Sequence, residues 1–174
     1  KTMESMFSRC TSLKKFDFTF INAVSLVNVT NLFFGCSKLE GANINNLNAT
    51  NCKNMSGIFN GCKVLKEVDL TNIKTEQVED LSFMFIGCTK LEKVTLSKEA
   101  KMQNVKTMAS MFEGCQSLKK VEIPFNQTDK LVNVTNLFSG CEKLETIKLD
   151  QFECKNCKSM KGMFKGGKAV KELD

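Results

Sequence analysis

Val78-Glu-Asp-Leu81-Ser-Phe-Met84-Phe85-Ile-Gly87-Cys88-Thr-Lys-Leu91-Glu-Lys-Val94-Thr-Leu96 is the stretch on which the reading of this chain turns. From Val78 to Cys88 the apolar residues fall at i, i+3, i+6, i+7 and i+10, the spacing of one face of a helix. From Leu91 to Leu96 they alternate with polar residues, the period of a strand. Asp80 is placed to accept an N-cap hydrogen bond and Gly87 to stop a helix in the left-handed conformation. Cap and stop are so close that each predicted helix has only about two turns, too short to persist alone.

The stretch is one unit of an array. Phe7, Phe33, Phe59, Phe85, Phe112, Phe138 and Phe164 recur at steps of 26 or 27 residues, and Cys10, Cys36, Cys62, Cys88, Cys115 and Cys141 keep the same step. The cap position reads Thr2, Asn28, Asn54, Asp80, Thr107, Asn133 and Ser159. The stop position is Gly in every unit but the first, which has Arg9. One short strand and one short helix per unit, with an L-x-x-L-x-L core, predict an α/β leucine-rich-repeat-like solenoid of about seven coils with parallel strands. Residues 1–69 align without gaps on 106–174 with 36 identities, so a block of four units has been duplicated. The 174 residues read as a single repeat domain, expected to be a section of a longer array.

Outward-facing positions follow from the alternation. Asp17, Asn43, Asp69, Thr95, Glu122 and Lys148 form an exposed column on the strand face, a candidate binding surface. Beside it, Lys14, Glu40, Lys66, Glu92, Lys119, Glu145 and Lys171 alternate strictly in sign. Stacking places opposite charges on neighbouring units, and a slip by one unit would set like charges together.

The composition narrows the chemistry. Histidine, tryptophan and tyrosine are absent, which excludes His-dependent nucleophile pairs and His-ligated metals within the chain. The net charge of +6 is spread as lysine, unlike the dense Arg-containing patch of a nucleic-acid binder. No apolar run is long enough for a membrane-spanning helix. The stop-position glycines are spaced one per unit from the second unit on, no Gly-rich phosphate-binding loop is present, and no paired carboxylates converge by spacing. Of the nine cysteines, six sit in the apolar column and read as buried small hydrophobes. Cys154-x-x-Cys157 is the sole C-x-x-C, half of a zinc site or a redox pair if it has chemistry at all. Three of the five N-x-S/T sequons (Asn28, Asn54 and Asn133) coincide with caps. Asn48 and Asn126 lie in loops and are the better glycosylation acceptors. Lys155, Lys158, Lys161, Lys165, Lys168 and Lys171 make a basic run that reads as a solvated face or a contact for an anionic partner. Catalytic, metal and cofactor sites are therefore expected to be absent.

The unit resembles the BspA-like leucine-rich-repeat surface proteins. Asn28-Val29-Thr30-Asn31-Leu32-Phe33-x-Gly35-Cys36-x-x-Leu39 and Leu65-x-x-Val68-Asp69-Leu70-Thr71 carry the likeness, with departures at Gly167 and Val170. The resemblance implies an extracellular or cell-surface protein that acts by adhesion or structural, even filamentous, assembly and has no catalytic residues. Its partners would be another protein or a second copy stacking on open solenoid ends. The competing reading is a cytoplasmic scaffold that binds a protein along a concave sheet, which the reduced thiol ladder would tolerate.

Overall fold

A computed structural model describes residues 1–18, 26–47, 49–122, 127–147, 149 and 152–173. Its strands are β1 (Lys15–Asp17), β2 (Gly41–Asn43), β3 (Glu67–Leu70), β4 (Lys93–Leu96), β5 (Lys120–Glu122), β6 (Thr146–Ile147) and β7 (Glu172–Leu173). They form three parallel sheets, β1-β2, β3-β4-β5 and β6-β7, in which each strand pairs with the next in sequence. The register repeats unit on unit: Phe16 faces Ala42, Val68 faces Val94, Val94 faces Val121 and Ile147 faces Leu173. In β3 and β4 the inward Val68, Leu70, Val94 and Leu96 are buried, and Asp69 and Thr95 alternate outward as the period-2 pattern requires.

The predicted helices are not there: among the described residues no helix forms. The reason lies in the backbone two residues before each Phe. Ser5, Asn31, Gly57, Phe83, Ser110, Asn136 and Gly162 all have φ between 54° and 66°, and Arg9, Gly35, Gly61, Gly87, Gly114, Gly140 and Gly166 have φ between 60° and 74°. A left-handed residue every fourth position cannot propagate an α-helix. Alternate amides instead donate across to the next unit, as in Val29 N–H to Asn54 C=O (3.0 Å), Asn31 to Ser56 (2.9 Å), Phe33 to Ile58 (2.8 Å) and Gly35 to Asn60 (2.7 Å). The amides between them close single turns, Leu32 to Val29 (3.3 Å), Phe34 to Asn31 (3.0 Å) and Cys36 to Phe33 (3.1 Å). The segment is thus a chain of turns bonded sideways, a second parallel ladder opposite the strands.

The capping residues keep their chemistry without a helix to cap. Thr2, Asn28, Asn54, Asp80, Thr107, Asn133 and Ser159 pair in an unbroken parallel series of single bridges. The side-chain oxygens of Asn28, Asn54, Asp80 and Asn133 accept the amide two residues on, for example Thr30 N–H to Asn28 Oδ1 (2.8 Å), Ser82 to Asp80 Oδ1 (2.8 Å) and Thr135 to Asn133 Oδ1 (3.0 Å). These are the Asx turns that Asn and Asp form when no helix competes.

The core lies between the two ladders. The seven phenylalanines stack in one pile with centroids 5.3–5.7 Å apart and ring planes within 10° of parallel. Their spacing falls in the range where offset aromatic pairs attract, about 0.5–1.5 kcal/mol per pair beyond area burial. The thiols do more than fill space. The five buried thiols of the repeating column each donate S–H to the Phe carbonyl of the preceding unit: Cys36 to Phe7 (3.0 Å), Cys62 to Phe33 (3.3 Å), Cys88 to Phe59 (3.0 Å), Cys115 to Phe85 (3.1 Å) and Cys141 to Phe112 (3.2 Å). Desolvation pushes the Cys88 and Cys141 thiols up to about 12 and Cys52 up to about 11, so they stay protonated and inert.

Candidate binding face

β2 is the key to the surface. Its sequence, Gly41-Ala42-Asn43, carries little side chain between Lys15-Phe16-Asp17 on one flank and Glu67-Val68-Asp69 on the other. A shallow open groove of about 870 Å³ therefore crosses the outer faces of β1 to β4. A Cβ at Gly41 would meet nothing within 4 Å, so the dip is real empty space on the sheet. Beneath it, the small Ala42 is offset by Phe16, whose ring leans to within 4.5 Å of Phe7 and 5.3 Å of Phe33. Large beside small keeps the inner side filled while the outer side stays hollow.

Two polar columns line the groove. One is Asp17, Asn43, Asp69 and Thr95, four of the residues read from sequence as the exposed column, held by the strand registers Asp17↔Asn43 and Asp69↔Thr95. Thr95 continues the register to Glu122. Only the backbone of Glu122 is described, and Lys148 lies outside the described residues, as do the loop acceptors Asn48 and Asn126. The other column, Lys15, Glu67 and Lys93, escaped the sequence reading although it lies two residues before the first on the same face. Gly41, standing where neighbouring units carry Lys or Glu, was the available signal for the dip.

Hydrogen bonds hold these groups in place. Asn43 Nδ2 donates to Asp17 Oδ1 (3.2 Å), Asn45 N–H to Asn43 Oδ1 (3.1 Å) and Asn72 N–H to Asn45 Oδ1 (3.1 Å). Thr71 N–H donates to Asp69 Oδ1 at 2.9 Å, and that bond, helped by the Thr71 hydroxyl, holds the Asp69 carboxyl below its usual range. The groove is thus a fixed array of carboxylates, amides and ammonium groups over a dry core. Such an array suits polar contact over an extended surface.

The alternating charges occupy adjoining units in register. Glu40 N–H reaches Lys14 C=O (2.8 Å), Glu92 reaches Lys66 (2.8 Å), Lys119 reaches Glu92 (3.2 Å) and Lys171 reaches Glu145 (3.2 Å). Side-chain ion pairs join Lys119 to Glu92 at 2.8 Å and Lys171 to Glu145 at 4.0 Å. Both partners of the first pair are exposed. The Lys119 ammonium lowers the Glu92 carboxyl pKa, and Glu92 raises that of Lys119. A bridge the sequence did not reveal sets Glu79 between Lys53 (3.3 Å) and Lys106. In the basic run, Lys155 pairs with Glu153 (2.7 Å) and Lys168 with Glu142 (2.9 Å). Cys154 and Cys157 are joined as a disulfide. Among the described residues no group of three or more His, Cys, Asp or Glu is placed to hold a metal ion, and no helix is long and apolar enough to cross a membrane.

Parallel strands in repeating units, backed by a core of stacked apolar residues, define a leucine-rich-repeat fold. A solved leucine-rich repeat protein from Eubacterium ventriosum shares it at a TM-score of 0.54 and 17% identity, over 92% of this chain and 44% of that one. A T. pallidum leucine rich repeat protein is 22% identical over 83% of this chain and 70% of its own, with a TM-score of 0.48. A leucine rich cell surface protein from Faecalibacterium prausnitzii is 11% identical over 98% of this chain and 62% of its own, with a TM-score of 0.36. Residues 1–121 and again 93–173 match the family described as "Mycoplasma protein of unknown function, DUF285", and the chain belongs to that family. No curated protein matches it.

Proposed function

We propose that the chain is a non-enzymatic surface repeat protein of the BspA-like kind, acting in adhesion or structural assembly through its strand face. In this reading residues 1–174 are one repeat domain, a solenoid with one coil per strand and seven in all, located outside the cell. The observation that carries the reading is the groove across β1–β4, polar along both columns and open to solvent. Its chemistry favours a broad protein contact over an enclosed small-molecule site. The second reading, a cytoplasmic scaffold binding a protein at the same groove, is favoured by the free thiols Cys36, Cys62, Cys88, Cys115 and Cys141 in the core.

Gly41→Arg is the discriminating variant, because a Cβ there meets nothing within 4 Å and the long side chain would occupy the groove. Electron microscopy and sedimentation of the wild-type chain come first. Filaments or sheets support structural assembly. Monomers that attach to immobilised extracellular proteins, and lose that attachment in Gly41→Arg at an unchanged unfolding midpoint, support adhesion. Monomers whose binding ignores Gly41→Arg overturn the assignment to this face.

A further inference from the structure

The chain holds two chemically separate classes of sulfur. Cys36, Cys52, Cys62, Cys88, Cys115 and Cys141 are buried, and their thiols are shifted up by desolvation. Cys154 and Cys157 are only partly buried and are bonded to each other, with Cα atoms 5.1 Å apart. Lys155, which pairs with Glu153 (2.7 Å), and Lys158 each follow one of them directly, and both lysines are exposed.

The internal duplication isolates what this pair adds. Cys157 corresponds to Cys52, and Cys154 to Ala49. The two loops have the same backbone bonds: Cys52 N–H to Ala49 C=O (2.8 Å) matches Cys157 to Cys154 (3.1 Å), and Lys53 N–H to Val27 C=O (3.0 Å) matches Lys158 to Val132 (2.8 Å). The fold therefore builds this loop without a disulfide in one block and with one in the other. Two side-chain bonds tie the second loop to the preceding unit as well, Thr128 Oγ1 to Glu153 C=O (2.6 Å) and Asn156 Nδ2 to Asp129 C=O (2.6 Å). A cross-link spanning so short a loop, already held in these ways, constrains the unfolded chain little. The sulfur pair is thus not the scaffold of its loop.

We infer that Cys154 and Cys157 form a reversible thiol–disulfide exchange site whose co-reactant is a low-molecular-weight thiol and its disulfide. In the oxidising direction one cysteine thiolate attacks a sulfur of the small disulfide, forms a mixed disulfide and expels one small thiolate. The second cysteine thiolate attacks the protein-bound sulfur, closes the Cys154–Cys157 bond and expels the other. Two protein thiols lose two protons and two electrons, and one small disulfide becomes two small thiols. The reducing direction is the reverse.

Oxidised and reduced glutathione are the probes, with the full chain in a Cys10→Ser background that removes the one exposed free thiol. The chain is equilibrated at a series of poises, quenched with acid, unfolded, alkylated and mapped by mass spectrometry. The Cys154–Cys157 peptide is expected to interconvert between dialkylated and bonded forms, about 2 Da apart before alkylation, while the six buried cysteines alkylate fully at every poise. Cys154→Ala and Cys157→Ala should each stall as a mixed disulfide carrying one glutathione. Cys154→Ala recreates the Ala49 arrangement, so its fold is expected to stand. The unfolding midpoint should be nearly equal in the oxidised and reduced wild type. A pair that stays bonded or stays reduced at every poise, single variants that capture no glutathione, or a large fall in midpoint on reduction would each overturn the proposal.

Discussion

Gly57→Ala has opposite signs in the two architectures that the sequence permits. In the interior of a helix, replacing Gly with Ala stabilises by roughly 0.5–1 kcal/mol. Here Gly57 has φ of +63°, and a Cβ on it would run into Oδ1 of Asn31 on the preceding unit. Left-handed backbone alone costs a Cβ-bearing residue about 1–2 kcal/mol. Displacing the Asn31 side chain adds to that, so the expected loss is about 2–3 kcal/mol. For a chain of this size each kcal/mol moves the thermal midpoint by roughly 2–4 °C, which predicts a fall of about 4–12 °C. The assay is thermal and urea unfolding followed by circular dichroism, with Asn31→Gly as partner in a double-mutant cycle. Asn31→Gly/Gly57→Ala should recover the clash but not the backbone strain, leaving about 1–2 kcal/mol. Gly162, with φ of +66° beneath Asn136, is the duplicated counterpart and should respond alike. A midpoint that rises in Gly57→Ala refutes the turn ladder.

Phe85→Ala removes a fully buried ring from the middle of the pile and should cost about 3–5 kcal/mol in urea unfolding, with Phe164→Ala, partly exposed and stacked on one neighbour, costing clearly less. Equal losses would contradict a continuous stack. The far-ultraviolet circular dichroism of the native chain should show a single broad minimum without the paired α-helical bands. The buried thiols predict sensitivity to alkali. Cys88 and Cys141 rise from an ordinary 9.0 to about 12, so both states hold the proton below pH 9 and only the unfolded state loses it above. Stability is therefore full below pH 9 and falls by about 1.4 kcal/mol per pH unit for each such thiol as pH climbs toward 12. Denaturant midpoints at pH 8, 10 and 11 check this, and Cys88→Ala should flatten the slope. The Glu92–Lys119 pair is exposed, so Glu92→Gln should change stability little and its effect should vanish at high salt.

The sequence by itself determined the period, the inward residues and the parallel arrangement of units, because burial against an identical neighbour selects the same residue type at the same place each time. Phe33, Cys36 and Leu39 read as core, and the structure buries all three completely. The outward setting of Asp17, Asn43, Asp69 and Thr95 was legible from alternation alone. The helices were misread because the spacing of Val78, Leu81, Met84, Phe85 and Cys88 reports only which residues share a side. A series of single turns satisfies that spacing as well as a helix does. Tertiary structure made the choice. With a neighbour on each side, alternate amides find acceptors 25 or 26 residues away, and that outlet makes left-handed residues such as Asn31 and Phe83 tolerable. The groove likewise exists only in three dimensions: Gly41 makes a hollow because Lys15 and Glu67 stand beside it on adjoining strands, a neighbourhood that no local stretch of sequence contains.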